Sequence, residues 1–364
     1  MTPLAPPAEP VRLLVTGGAG FIGSNFIRYY LGRHPGARIL NLDKLTYAGN
    51  LENLAEVENH PGYRFCQGDI CDAALVARLF AAERPEVVVH FAAESHVDRS
   101  ILAPSPAFET NLRGTFTLLE AAREYGVERF AQISTDEVYG SLDEPREADE
   151  SYPLRPSSPY SAAKAGADLL ALSFFATFRT PVVVTRASNN YGPFQFPEKF
   201  VPLMVTNALD GLPLPIYGDG RQVRDWLAVE DHCAGIEAVI HGGRLGEIYN
   251  IGGDCSRENL EVAREILRLT GRPESLLKPV ADRPGHDRRY GLSSAKIQRE
   301  LGWRPRVDFA RGLEAAIEWY RSHAGWVGRV KAGDYRLYYQ RNYGNREKDF
   351  GGSPPCALPS TPRP

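Results

Sequence analysis

The feature that most narrows what this chain can fold into is Gly17-Gly18-Ala19-Gly20-Phe21-Ile22-Gly23, which follows an apolar strand pattern at 11–16 and opens a helical run. Its glycines at 17, 20 and 23 spell G-x-x-G-x-x-G. The first permits a tight strand-to-helix turn, the next lets backbone approach a pyrophosphate, and the last lets the helix pack close to the sheet. The N–H groups and positive dipole end of such a helix receive phosphate. Asp43, twenty residues beyond Gly23, ends the next strand pattern. A carboxylate there accepts from a ribose 2′-hydroxyl and repels a 2′-phosphate, so NAD is expected rather than NADP. Lys44 beside it softens that preference slightly.

Further apolar runs at 38–42, 87–92, 130–134 and 182–188 alternate with helical patterns at 75–83, 107–125 and 160–178. Continuous apolar runs suit strands buried on both faces. Their alternation with helices implies an α/β fold, a Rossmann-type doubly wound parallel sheet. After Tyr191, prolines 193, 197, 202, 213 and 215 break the pattern. The stretch 223–250 reads as a return to the sheet, with a helix at 232–241 and a strand at 248–251. Helices near 260–269 and 309–320 belong to a smaller C-terminal, substrate-binding lobe. The expected division is a flexible tail at 1–10, an NAD-binding domain at 11–190 plus about 223–251, a second domain at about 191–222 plus 252–345, and a flexible tail at 346–364.

The balance of 42 basic and 45 acidic residues leaves a net charge of −3, which provides no field for nucleic acid or anionic lipid. No apolar run is long enough to span a membrane, and residues 1–10 lack the basic start and apolar core of a signal peptide. Cys66, Cys71, Cys233, Cys255 and Cys356 form no C-x-x-C spacing. Neither a disulfide framework nor a metal site is expected, and the cytoplasm is the natural compartment.

Two clusters carry chemistry. Tyr160-Ser161-Ala162-Ala163-Lys164 is Y-x-x-x-K, which puts phenol and ammonium on one helix face after a start at Pro156-Ser157-Ser158-Pro159. A neighbouring ammonium favours phenolate, so Tyr160 is the expected base toward a hydroxyl that is being oxidised. The second cluster is Ser134-Thr135-Asp136-Glu137-Val138-Tyr139-Gly140 at a strand end. Adjacent carboxyls in unlike surroundings can work as acid and base. Gly68-Asp69-Ile70 and Phe91-Ala92-Ala93-Glu94-Ser95-His96 fall where other strands end, the usual ligand-binding edge of such a sheet. Asp69 there could meet the adenine end, and small residues at 92 and 93 let backbone pass close to the cofactor.

These motifs resemble the extended short-chain dehydrogenase/reductase family, whose members include epimerases, decarboxylases and dehydratases. Thr135-Asp136-Glu137 is similar to its dTDP-glucose 4,6-dehydratase subgroup. The likeness runs from about residue 11 to 345 and takes in 43–50, 92–98, 189–193, 197–199, 221–226, 249–253 and 282–290. It implies that Asp136 is the acid, Glu137 the base, and that Thr135 orients the sugar, with Tyr160 and Lys164 completing the catalytic set. It implies cofactor contacts from Phe21, Ile22, Lys44, Leu45, Thr46, Asp69, Ile70, Phe91, Ala92, Ala93, Ser95, Thr110, Ser134 and Asn190 besides the glycines and Asp43. Substrate contacts are implied for Ser95, His96, Asn189, Lys199, Phe200, Pro215, Ile216, Tyr217, Arg224, Asn250, Arg283, His286 and Tyr290. Phe194 and Phe200 depart from the subgroup, which often has Tyr and Leu there. The implied reaction removes water across C5 and C6 of dTDP-glucose. UDP-glucose as substrate, and 4-epimerase or decarboxylase chemistry, remain alternatives. A homodimer through a four-helix bundle, formed by the helices at 107–125 and 160–178, is implied as well.

Overall fold

The structure, a computed structural model, describes residues 12–332 and Tyr339. The two expected tails lie outside the described residues. Strands are numbered β1 (Arg12–Thr16), β2 (Arg38–Asp43), β3 (Tyr63–Gln67), β4 (Val87–His90), β5 (Arg129–Thr135), β6 (Val182–Ala187), β7 (Asn189–Tyr191), β8 (Leu214–Tyr217), β9 (Val223–Ala228), β10 (Ile248–Ile251), β11 (Ser256–Glu258) and β12 (Leu277–Val280). Helices are α1 (Phe21–Arg33), α2 (Ala73–Glu83), α3 (Val97–Leu102), α4 (Ser105–Phe108), α5 (Thr115–Tyr125), α6 (Pro159–Phe178), α7 (Phe200–Asp210), α8 (Val229–Gly242), α9 (Asn259–Thr270), α10 (Ala295–Leu301), α11 (Phe309–Ser322) and α12 (Ala324–Val330).

The apolar runs make a seven-stranded parallel sheet in the order β10-β6-β5-β4-β1-β2-β3. The order reverses between β1 and β4, and that switch point opens a crevice at the strands' carboxyl ends. All of β4 and β6 is buried, as runs covered on both faces require. One core layer joins the sheet to α1 and α8 through Phe26, Ile27, Val229 and Ile236. The other layer joins it to α2, α5 and α6 through Val76, Leu118 and Phe174. A separate core holds α7, α9 and α11 around Trp226 and Ile266.

Two expectations fail. The helix expected at 107–125 is interrupted by a π turn, Glu109–Gly114. Across that turn Asn111 closes on the Glu94 backbone, accepting from its N at 2.8 Å and donating to its O at 3.0 Å. This pairing favours the wider turn, and such turns are frequent at functional sites. The stretch at 223–228 does not rejoin the main sheet. The β6 edge is already paired with β10, so β9 pairs with β7 and β11 in a three-stranded sheet of its own. The main sheet is re-entered only at Ile248.

Candidate active site

A cavity of about 290 Å³ lies along the carboxyl ends of the sheet strands. Its wall includes Gly17, Gly20, Phe21, Ile22, Gly23, Asp43, Lys44, Thr46, Asp69, Ile70, Phe91, Ala92, Ala93, Ser95, Thr110, Ser134 and Asn190, all expected to meet the dinucleotide. Gly17 sits at φ 71°, and a Cβ there would lie 2.6 Å from the Ala92 backbone. One on Gly23 would lie 2.4 Å from the Gly17 carbonyl, so the helix can start this close to the turn only on glycine. α1 has no side-chain cap and no acidic residue in its first turn, which leaves its positive end to an anion. Asp43 accepts from Ala19 N at 2.9 Å and Leu45 N at 2.8 Å, which fixes the carboxylate beside the turn. Leu45 itself is not on the wall; its backbone, at φ 55°, is what anchors Asp43. Lys44 is engaged with Asp69 at 2.7 Å, so it is not a spare cation for a 2′-phosphate. This cradle with its anchored carboxylate fits a dinucleotide whose ribose carries a free 2′-hydroxyl.

The catalytic candidates share the far wall of this cavity: Thr135, Asp136, Glu137, Tyr160 and Lys164. β5 ends at Thr135 and passes into a 3-10 turn, Asp136–Tyr139, capped by the Thr135 hydroxyl, which accepts from Glu137 N at 3.3 Å. α6 starts at a Ser158–Ser161 capping box with Pro159 in its first turn, so Tyr160 and Lys164 are set by a well-closed helix end. Asp136 is buried, and its Oδ2 has no partner. Burial and then the neighbouring Glu137 and Asp225 charges push the Asp136 carboxyl far above the usual range. Burial also raises Glu137, but Arg283, Lys199 and Arg224 pull it back. The two carboxyls therefore sit in unlike fields. Lys164 donates to the Ile133 carbonyl at 2.6 Å, and burial brings its ammonium down to about 8.

Tyr160 is raised, by burial first and then by the Glu137 charge, and the Thr135 hydroxyl opposes this.

Beneath the wall runs a buried chain of polar contacts. Asp168, one helical turn after Lys164, accepts from Arg186 Nε at 2.9 Å. Arg186 Nη1 donates to the Tyr139 hydroxyl at 2.9 Å, and that hydroxyl donates to Asn250 Oδ1 at 2.9 Å. This ties the helix of Tyr160 and Lys164 to the turn of Asp136 and Glu137. It also corrects the expectation for Asn250. That residue is fully buried, its amide nitrogen donates to the Ala148 carbonyl at 3.1 Å, and it lines neither cavity.

A second cavity, of about 150 Å³, continues from the first through Glu137, Asn189, Glu198 and Lys199. His96, Phe200, Pro215, Ile216, Tyr217, Arg224, Arg283, His286 and Tyr290 line it, as expected of substrate contacts, whereas Ser95 lines only the first. Two of its basic side chains are already engaged with carboxylates. Arg283 holds Asp98 at 2.9 Å, and His286 holds Asp282 at 2.6 Å. Glu198 takes Arg99 at 3.1 Å. Trp226 Nε1 and Asn259 Oδ1 are buried on this cavity's wall without partners. The sequence reading missed Asp98, Glu198, Trp226, Asn259, His232 and Asp168. Asp98, Glu198 and Trp226 stand inside quoted motifs, and Asp168 repeats the four-residue step of Tyr160 and Lys164, so those four carried a signal.

The family profile described as GDP-mannose 4,6 dehydratase matches residues 14–316. A dTDP-glucose 4,6-dehydratase from Xanthomonas campestris pv. campestris (strain B100) is 49% identical, over 89% of this chain and 97% of that protein. The crystal structure of a dTDP-glucose 4,6-dehydratase from Streptomyces venezuelae, with NAD and dTDP bound, is 53% identical with a TM-score of 0.86, over 88% of this chain and 100% of that one. A UDP-glucose 4-epimerase from Thermus thermophilus, in complex with NAD, is 35% identical with a TM-score of 0.79, over 85% of this chain and 99% of that one. The fold is thus shared with epimerases, while the higher identities fall on dehydratases. The chain belongs to the nucleotide-sugar 4,6-dehydratase family, within the extended short-chain dehydrogenases/reductases.

Proposed function

We propose that the protein is an NAD-dependent dTDP-glucose 4,6-dehydratase, converting dTDP-D-glucose to dTDP-4-keto-6-deoxy-D-glucose and water. The observation that carries this is the Asp136–Glu137 pair, a buried and a half-buried carboxyl in unlike fields, lining the same cavity as Tyr160 and Lys164. When bound, NAD supplies the oxidation at C4 and the later reduction at C6, and it is restored in each turnover. Tyr160 accepts the proton of the 4-hydroxyl, and Thr135 orients that hydroxyl. Lys164 contributes positive charge beside the dinucleotide ribose and the phenol. The C4 ketone acidifies C5, and Glu137, steadied by Arg283, Lys199 and Arg224, removes the C5 proton. Asp136, kept protonated by burial, donates to the departing C6 oxygen. A proton then returns to C5, so the sum is loss of one water.

In the second cavity Arg224, Arg283 and Lys199 suit a diphosphate. His96, Asn189, His286 and Tyr290 suit sugar and base edges, and Phe200, Pro215, Ile216 and Tyr217 supply apolar contact. The two-domain division at 11–190 plus about 223–251 and about 191–222 plus 252–345 is part of the same proposal, except that β9 places Trp226 in the core of the second domain. So is a homodimer through a four-helix bundle. Phe108, Phe116, Leu169 and Phe178, on α4, α5 and α6, are exposed large apolar side chains that such an interface would cover. The proposed compartment is the cytoplasm; Cys66, Cys71, Cys233 and Cys255 are unbridged.

The test is incubation of NAD-loaded protein with dTDP-glucose, followed by mass spectrometry. A product lighter by one water, with no net NADH, is expected, and UDP-glucose should turn over more slowly. Unchanged substrate, or a 4-epimer of equal mass, would overturn the reading.

A further inference from the structure

A cluster of metal-ligating side chains lies at the far end of α1 from the active site. His34 caps the C-terminus of α1, whose thirteen residues set it about 20 Å from the glycine turn. Glu237 and His241 stand four apart on α8, hence on one face of that helix. One ligand atom from each of His34, Glu237 and His241 falls within 4.8 Å of the other two. We propose that these three residues form a structural site for a divalent transition-metal ion of the zinc type, clamping α1 to α8.

Three observations support this. First, the imidazole geometry fits one ion. Two imidazoles on a tetrahedral zinc, with Zn–N near 2.0–2.1 Å, hold their ring centres about 5 Å apart. The His34 and His241 rings lie 5.3 Å apart. Second, the ligands are held in place. Tyr30 is fully buried, with its ring 4.2 Å from that of His34 and stacked at 6.1 Å on that of His241. The Tyr29 hydroxyl donates to Glu237 Oε2 at 2.7 Å, orienting the carboxylate as outer-shell donors do in metal sites. Third, the ion would replace groups that can leave. His34 Nε2 meets Glu237 Oε1 at 2.6 Å, and Arg33 Nε meets the same oxygen at 3.1 Å. Arg33 is 59% exposed and can swing into water. His34 exchanges its Nε2 proton for the ion, as coordination at neutral pH requires. Two imidazoles and one carboxylate leave one tetrahedral position for water.

The sequence expects no metal because its cysteines lack the spacing for one. This cluster uses no cysteine and joins residues 203 positions apart.

The experiment is cobalt(II) titration of full-length, chelator-treated protein, with a parallel thermal melt in zinc(II). One equivalent of cobalt with tetrahedral visible bands is expected, along with a zinc-dependent rise in Tm. His241→Gln should abolish both. A variant with Cys66, Cys71 and Cys255 changed to Ser should retain both. Arg33→Ala, which removes the competing cation and no ligand, should tighten binding several-fold. That variant keeps the test decisive if His241→Gln folds poorly. No tetrahedral bands in the parent, uptake unchanged in His241→Gln, or weaker binding in Arg33→Ala would each overturn the proposal.

Discussion

The two cavities share Glu137, Asn189, Glu198 and Lys199 yet are built on opposite plans. In the first, a carboxyl is left unsatisfied and an ammonium is held in a buried, charge-poor setting. Asp136 Oδ2 is buried without a partner, and Lys164 is brought down to about 8. In the second, Arg283 is paired with Asp98 and Glu198 with Arg99 before any ligand arrives, and Arg224 and Lys199 donate to backbone carbonyls. Buried groups without partners are costly, and sites that keep them generally use them in chemistry. Paired groups have their geometry fixed in advance, which suits recognition. On the proposed function, the difference separates bond-breaking from holding within one continuous crevice.

The largest effect should come from breaking the first plan. Asp136→Asn combined with Glu137→Gln should lower dehydration by about 10²–10⁴-fold for each proton transfer lost. C4 oxidation depends on Tyr160 and Lys164 and should persist, so NADH should accumulate in single-turnover absorbance. Equal loss of both steps would mean that the carboxyls serve oxidation as well, and that the acid–base division is wrong.

Next in size is the buried pair under the wall. Asp168 and Arg186 are 0% and 2% exposed, so Arg186→Met leaves an uncompensated buried carboxylate. That should cost about 3–5 kcal/mol in denaturant unfolding. Adding Asp168→Leu should restore most of the stability, since an apolar pair can replace a buried ion pair. It should not restore kcat, because the link from Asp168 through Arg186 to Tyr139, on the turn of Asp136 and Glu137, is then gone. Full recovery of kcat would make the pair purely structural.

What the sequence showed and hid follows the same local-versus-tertiary line. The glycine turn, Asp43 and Y-x-x-x-K are legible because each is a local backbone demand. The parallel, doubly wound sheet follows from burial on both faces plus helical crossovers. The π turn at Glu109–Gly114 is not legible, because its cause is Asn111 pairing with Glu94 on another segment. β9 reads as a strand in any sheet; only the occupied β6 edge sends it elsewhere. Asn250 marks β10 by its motif, but the motif does not say which way the side chain faces. Arg186 in a mostly apolar, fully buried strand was a flag that periodicity alone does not interpret.

The smallest effect sharpens the comparison by pH. His232, on the first cavity, is lowered by burial to about 3. His96, on the second, is lowered to about 4, by burial first, with the Glu198 charge opposing. Both lie below the ordinary 6.5, so between those values the unfolded chain binds more protons than the folded one. Their contribution is complete above 6.5 and is lost as pH falls toward about 4 for His96 and about 3 for His232. Each should add a slope of about 1.4 kcal/mol per pH unit, or about 2 kcal/mol by pH 5. His232→Asn and His96→Asn should each flatten urea-determined stability between pH 6 and 5 by that amount. Toward pH 4 the His96 slope should fade first, because the Glu198 charge 3.9 Å away favours the His96 imidazolium, while His232 has the neutral Asn190 amide at 2.8 Å. Identical profiles for the two variants down to pH 3.5 would show that Glu198 gives His96 no such relief, and that charge matching does not extend to this corner of the second cavity.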